Sequence, residues 1–251
     1  GVAAVAGAFR GSLDNGGENL RLEDSCGEVL IDFAYNDSGA WPGRADGKGS
    51  SAELSAPSTA PPTQPQLDAF LADGANWQPS SEFHGNPGRD GAGPDNRVVF
   101  NEVLAHSEPP DVDRLELLNN TASDVNLGGW YISDDADEYK KFQVPAETAL
   151  APGAFTTFDE TDFNSGSSLV DFALDSGKGD DLYLIEADAF GNLIRFVDRV
   201  EFGASATGES FGRWPDGSGR LYPMIEQTFG DLNASGSNRV RVGPVVISEI
   251  N

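Results

Sequence analysis

The stretch ALDSGKGDDLYLIEADAFGNLIRFVDRVEF at 173–202 decides the fold class. It opens on a Gly/Asp turn cluster, DSGKGDD at 175–181. Two apolar runs follow, Asp181–Glu186 (DLYLIE) and Arg195–Phe202 (RFVDRVEF), on either side of the turn residue Gly191. Runs this short, partly alternating and bounded by Gly and Asp, read as strands. The pattern recurs outward at Asn19–Glu23, Val29–Tyr35, Val98–Leu104, Arg114–Leu118, Trp130–Ile132, Ala154–Phe158 and Val245–Asn251. Further turn clusters separate these runs: DNGGE at 14–18, DGKG at 46–49 and PDGSG at 215–219. The best helix is Gln66–Ala72, a turn or two. Many short strands between Gly/Asp turns predict a sandwich or a barrel.

Composition agrees and excludes several classes. The chain of 251 residues carries 41 acidic against 16 Lys and Arg residues, a formal net charge of −25. A nucleic-acid backbone needs a basic surface, so the charge argues strongly against one as partner, and it disfavours docking on an anionic bilayer. With 38% hydrophobic residues the chain can build a core, and 30 Gly with 15 Pro suit a turn-rich protein. The single cysteine, Cys26, permits no intrachain disulfide. With only His84 and His106 beside it, a Cys/His zinc site is excluded too. No run approaches the roughly 18 apolar residues of a membrane span, so no membrane insertion is expected. Gly1–Phe9 (GVAAVAGAF) is apolar but lacks the basic start of a signal peptide. The missing initial Met points to a processed chain or a window of a longer one.

The chain also repeats itself. Leu13-Asp14-Asn15-Gly16 followed by Leu20-Arg21-Leu22 matches Leu174-Asp175-Ser176-Gly177 followed by Leu182-Tyr183-Leu184. A turn Gly (Gly27, Gly191) and an Ile/Val-Asp pair (Ile31-Asp32, Val197-Asp198) come next in each copy. Both then reach a Trp with an Asp-Gly-x-Gly turn, Trp41 with Asp46–Gly49 and Trp214 with Asp216–Gly219. Val98–Val103 (VVFNEV) matches Val245–Ile250 (VVISEI) in the same way. The expected organisation is the back part of one unit (1–88), a linker (89–97), a whole unit (98–233), a second linker (234–244) and the opening strand of a third unit (245–251).

The ordered series VVFNEVLAH (98–106), RLELLNN (114–120), DVNLGGW (124–130), YISDDADEYKKFQVP (131–145), LAPGAF (150–155), ALDSGKGDDLYLIE (173–186) and SFGRWPDGSG (210–219) resembles the lamin-tail domain. The relatives meant are units of large secreted bacterial surface proteins. GSLDNGGENLRLED (11–24), DSGAWPGRADGKGSS (37–51) and ANWQPSSEFHGNPG (75–88) look like the back half of a related unit. One departure is Phe229-Gly230, where the pattern closes with Pro-Gly. The resemblance implies an all-β fold of tandem immunoglobulin-like β-sandwiches, with no catalytic apparatus and a place outside the cell or on its surface. It implies a non-catalytic structural or adhesive protein. The alternative is an accessory binding region of a large secreted hydrolase or spore-coat-type kinase. A carbohydrate-binding module, the third class, would show exposed aromatic residues in line on one sheet face.

Asp134, Asp135, Asp137 and Glu138 form the densest acidic cluster and are candidate Ca²⁺ ligands, because calcium takes 6–8 oxygens from flexible loops. The spacing does not match the EF-hand loop, and a solvated acidic loop is the simpler expectation. Asp175, Asp180 and Asp181 form a weaker candidate of the same kind. The abundant carboxylates also suit hydration at high salt. Asn101-Glu102 and Glu116 with Asn119 are expected at strand ends, bonding to backbone rather than transferring protons. His106-Ser107 lacks the strained nucleophile turn of a serine hydrolase. Trp41 and Trp130 are expected to fill the core or cap a sheet end. Val245–Asn251 reads most simply as the opening of the next unit in a continuous array; the alternative expectation is that it adds to an open sheet of a neighbouring copy, linking copies head to tail.

Overall fold

Sharp turns and strand pairing organise two units, Gly1–Pro94 and Asp95–Asn251, and each is described by itself. The computed structural model describes residues 12–89, 91–234 and 239–241. The expected strand at 245–251, the apolar start at 1–9 and most of the 234–244 junction lie outside them.

In the first unit β1 (Asn19–Glu23) and β2 (Val29–Ala34) pair antiparallel, with Leu20 opposite Phe33 and Leu22 opposite Ile31. The Asp24 carboxylate closes the turn between them by accepting from the backbone N–H groups of Cys26 and Glu28, both at 2.8 Å. Gly17 makes the entry to β1 possible. Its φ is +99°, and a Cβ there would lie 2.4 Å from the Tyr35 carbonyl oxygen. After β3 (Ala52–Leu54) come α1 (Gln66–Leu71) and β4 (Trp77–Pro79), and β3 pairs with β4. Among the described residues this unit holds two separate two-stranded sheets.

The second unit is a sandwich. Its strands are β5 (Val98–Leu104), β6 (Arg114–Asn119), β7 (Val125–Asn126), β8 (Tyr131–Ser133), β9 (Phe142–Gln143), β10 (Ala149–Leu150) and β11 (Phe155–Asp159). The four-residue helix α2 (Glu160–Phe163) follows, then β12 (Gly179–Ala187), β13 (Leu193–Gly203), β14 (Ser210–Trp214) and β15 (Arg220–Pro223). One sheet runs β11-β6-β5-β14-β15, the other β13-β12-β8-β9, and β7 with β10 forms a small third ladder. Every pairing is antiparallel, which confirms the all-β, immunoglobulin-like expectation.

Strand β5 lies inside its sheet and is buried along its whole length. Val98, Phe100 and Val103 share one core with Leu115 and Leu117 of β6, Leu182 and Leu184 of β12, and Trp130. Trp130 therefore fills the core as expected, at 4% exposure. The hairpin β12–β13 matches β1–β2 down to its entry glycine. Gly179 has φ +89°, and a Cβ there would meet the Phe202 carbonyl oxygen.

Two details differ from the sequence reading. Asp32 pairs with Arg21, whereas Asp198 pairs with Leu184 after a bulge, so the matched Asp residues occupy different rows. A one-residue change of register moves a side chain to the opposite face. The turn at 215–219 joins β14 to β15, but DGKG at 46–49 follows a 3-10 turn at Gly43–Ala45 and has no preceding partner strand for β3. In the second unit β14 is held by β5, and no described strand of the first unit stands in that place.

Candidate functional site

Polar residues in the middle of a fully buried strand need partners, and Asn101 and Glu102 of β5 find them in the segment after β15. Glu102 accepts from the Ser210 hydroxyl (2.5 Å), from Thr228 N–H (2.9 Å) and from the Thr228 hydroxyl (3.0 Å). Glu116, directly opposite on β6, accepts from Gly230 N–H and from the Asn101 amide. Burial pushes the Glu116 carboxyl up to about 7, and the nearby Glu102 and Asp216 carboxylates push the same way. Two carboxylates facing each other in a core are compatible when one keeps its proton.

Asn233 completes the arrangement. Its amide donates to the carbonyls of Asn101 (2.9 Å) and Arg213 (3.1 Å), pinning residues 228–233 across β5 and β14. Asp198 crosses between the two sheets: it accepts from Phe100 N–H and forms an ion pair with Arg213, both at 2.8 Å. Arg213 also donates to the Phe100 and Gly219 carbonyls. Asn119 donates to the carbonyls of Ser123, Leu150 and Ala151. The polar residues of this core thus bond largely to backbone and fix strands and the closing segment in place.

The acidic loop is arranged differently from a cation cage. Asp134 forms an ion pair with Lys141 at 2.6 Å, and Asp135 lies 3.7 Å from the same ammonium. Asp135 also accepts from Asp137 N–H, and Glu138 from Lys140 N–H. Asp175 caps its own turn through Gly177 and Lys178 N–H, and Asp181 pairs with Arg199. Among the described residues no group of three or more His, Cys, Asp or Glu side chains is gathered to hold a metal ion. His106 and Ser107, adjacent in sequence, have separate partners. The imidazole faces the Ser205 carbonyl and the Thr207 hydroxyl, while the Ser107 hydroxyl donates to Asp113.

An open groove lies in the first unit. Leu13, Leu20, Phe33, Tyr35, Trp41 and Trp77 line a groove of about 470 Å³. Its floor is an aromatic row. Trp77 stacks between Phe33 (6.0 Å) and Trp41 (5.7 Å), and Tyr35 meets Trp41 edge-on at 6.4 Å. The polar tips are tied to backbone: Trp77 Nε1 donates to the Leu71 carbonyl and Tyr35 Oη to that of Asp14. Two of the polar side chains at the rim serve their own turns. Asp14 accepts from Gly16 N–H, and Asn36 from Asp37 and Ser38 N–H. Asn15, Asp37, Asp46 and Ser51 also line the groove beside its apolar floor. Trp41, expected in a core or at a sheet end, is half-buried here. Phe33, Tyr35 and Trp77 were not singled out from the sequence. The available signal was the alternation Phe33–Tyr35 at the end of β2, together with the Trp in ANWQPSS.

Fold and core define the second unit as an immunoglobulin-like β-sandwich whose buried polar groups hold strands together. Residues 92–204 match the family model described as the Lamin Tail Domain, so the chain contains a lamin-tail-like domain there. No curated protein and no solved structure matches the chain at a significant level. No helix among the described residues is long and apolar enough to cross a membrane.

Proposed function

We propose that this chain is a non-catalytic structural or adhesive protein, secreted or displayed on the cell surface and built from tandem lamin-tail-like sandwiches. The observation that carries the reading is the use made of the buried polar residues. Glu102, Glu116, Asn119, Asp198 and Asn233 bond to backbone carbonyls and N–H groups or to each other's strands. Such groups make the sandwich a rigid scaffold rather than a reactive centre. The net charge of −25 supports a hydrated surface unsuited to nucleic acid.

An antibody raised against the purified chain tests the location. Labelling of intact, unpermeabilised source cells, with the antigen released by shear, is the expected result. Labelling that requires permeabilisation overturns it.

A further inference from the structure

We propose that the pocket between the edge strands β13 and β15 of the second unit binds a phosphate group, either the free ion or a monoester. This goes beyond the function proposed above, which assigns the chain no ligand.

Both sheets of the sandwich end here, one on β13 and the other on β15. Lys178, from the turn before β12, and Gly219, from the turn before β15, line the pocket between them, which measures about 540 Å³. Its lining holds four cations, Lys178, Arg199, Arg213 and Arg220, and one acid, Glu201. In a chain with 41 acidic against 16 Lys and Arg residues, that is a local reversal of charge.

Two of the cations are anchored and two are free. Arg199 is held by Asp181 at 2.8 Å. Arg213 is held by Asp198 at 2.8 Å and donates to the Phe100 and Gly219 carbonyls. Lys178 and Arg220 are exposed, and among the described residues neither has an ion pair or a side-chain hydrogen bond. The acids nearest Lys178 in sequence are engaged elsewhere. Asp175 accepts from the N–H groups of Gly177 and Lys178, and Asp180 from those of Asp175 and Asp181. Glu201 lies 3.7 Å from Arg199 and leaves 76% of its side chain in solvent. Two uncompensated positive charges suit the dianion of a phosphate group better than the single charge of a carboxylate. A guanidinium also presents paired donors to phosphate oxygens.

The fold does not require these two cations. Where the second unit runs Gly177-Lys178-Gly179, the first runs Gly16-Gly17, so Lys178 is an added residue. After the matched Asp-Gly-x-Gly turns, Ser50 stands in the place of Arg220. Edge strands carry cations to deter pairing with other chains, but Lys178 lies in a turn and cannot serve that purpose. The net charge of −25 repels anions at a distance. At physiological salt that field is screened beyond about 8 Å, so the pocket's own cations decide what binds there.

The test titrates the full ¹⁵N-labelled chain with inorganic phosphate, glycerol 3-phosphate and acetate at about pH 8, where phosphate is a dianion. Saturable amide shifts are expected at Lys178, Gly203, Gly219 and Arg220 with both phosphates, at a Kd on the order of 1 mM. Lys178→Gln and Arg220→Gln are each expected to weaken binding about fivefold, the loss of one unit charge at contact distance in a high dielectric, and Glu201→Gln to strengthen it. Both cations are exposed, so their replacement leaves the fold intact, which far-UV circular dichroism checks. Tighter binding of glycerol 3-phosphate supports a site for a phosphate carried on a larger molecule, and equal affinity supports a site for the free ion. Three outcomes overturn the proposal: no saturation at about 50 mM phosphate, acetate binding as tightly as phosphate, or phosphate binding unchanged when Lys178→Gln and Arg220→Gln are combined. Each of them leaves the surface role standing.

Discussion

The two units build the same hairpin and do opposite things with it. Leu174 is 6% exposed and Leu184 is fully buried, while their counterparts Leu13 and Leu22 are each 53% exposed. The entry glycines, Gly17 and Gly179, do the same work in both, and the strands pair antiparallel in both. Local pattern therefore suffices to make the hairpin. Burial comes from the second sheet, and chiefly from β5, whose side chains face β12 and β13 across the sandwich. In the first unit the hairpin is covered only in part, by the stacked aromatic side chains and α1, and its residues stay half-buried or exposed.

That contrast predicts a large difference between matched truncations. Leu184→Ala in the closed core should lose roughly 2–5 kcal/mol in urea denaturation, whereas its counterpart Leu22→Ala should lose less than about 0.5 kcal/mol. Equal losses would erase the distinction between the units.

A smaller effect sharpens the account of how the second unit closes. Asn233→Ala leaves the buried carbonyls of Asn101 and Arg213 without their amide donor, for a loss of about 1–3 kcal/mol. Amide hydrogen exchange should quicken in residues 228–233, whose attachment to β5 depends on it. Unchanged protection there would mean that Glu102 and Glu116 hold the segment without Asn233.

The smallest effect is a slope against pH. Glu116 keeps its proton in the folded state up to about pH 7, while an unfolded glutamate loses it near 4.3. Between these values the folded state binds more protons than the unfolded one, so this group's contribution makes stability fall as pH rises through that window. Glu116→Gln should flatten the fall between about pH 4.5 and 7, as read from urea midpoints. Identical slopes in the two proteins would mean that Glu116 titrates normally.

Much of the fold was legible before any coordinates. Asn19–Glu23 and Val98–Leu104 are strands with the bounds the sequence predicts, and β6, β8 and β11–β13 differ by only a few residues at their ends. Short ladders were not legible: β7, β9 and β10 are two residues each, too short for any period to register. Strand β14 was hidden in what reads as a turn, because its place is set by β5 and β15 rather than by its own residues. The groove was legible only in fragments. Trp41 and Trp77 are far apart in sequence, and their stacking depends on how β2, β3 and β4 are brought together.

Sequence alone determined the all-β class and most of the turn positions, since these follow from local backbone preference. Tertiary structure decided which carboxylates are buried, which of two matched aspartates crosses the sandwich, and which of two matched leucine sets stays open. Each of those depends on register and on a second sheet contributed from distant parts of the chain, and neither is written in the local pattern of any one strand.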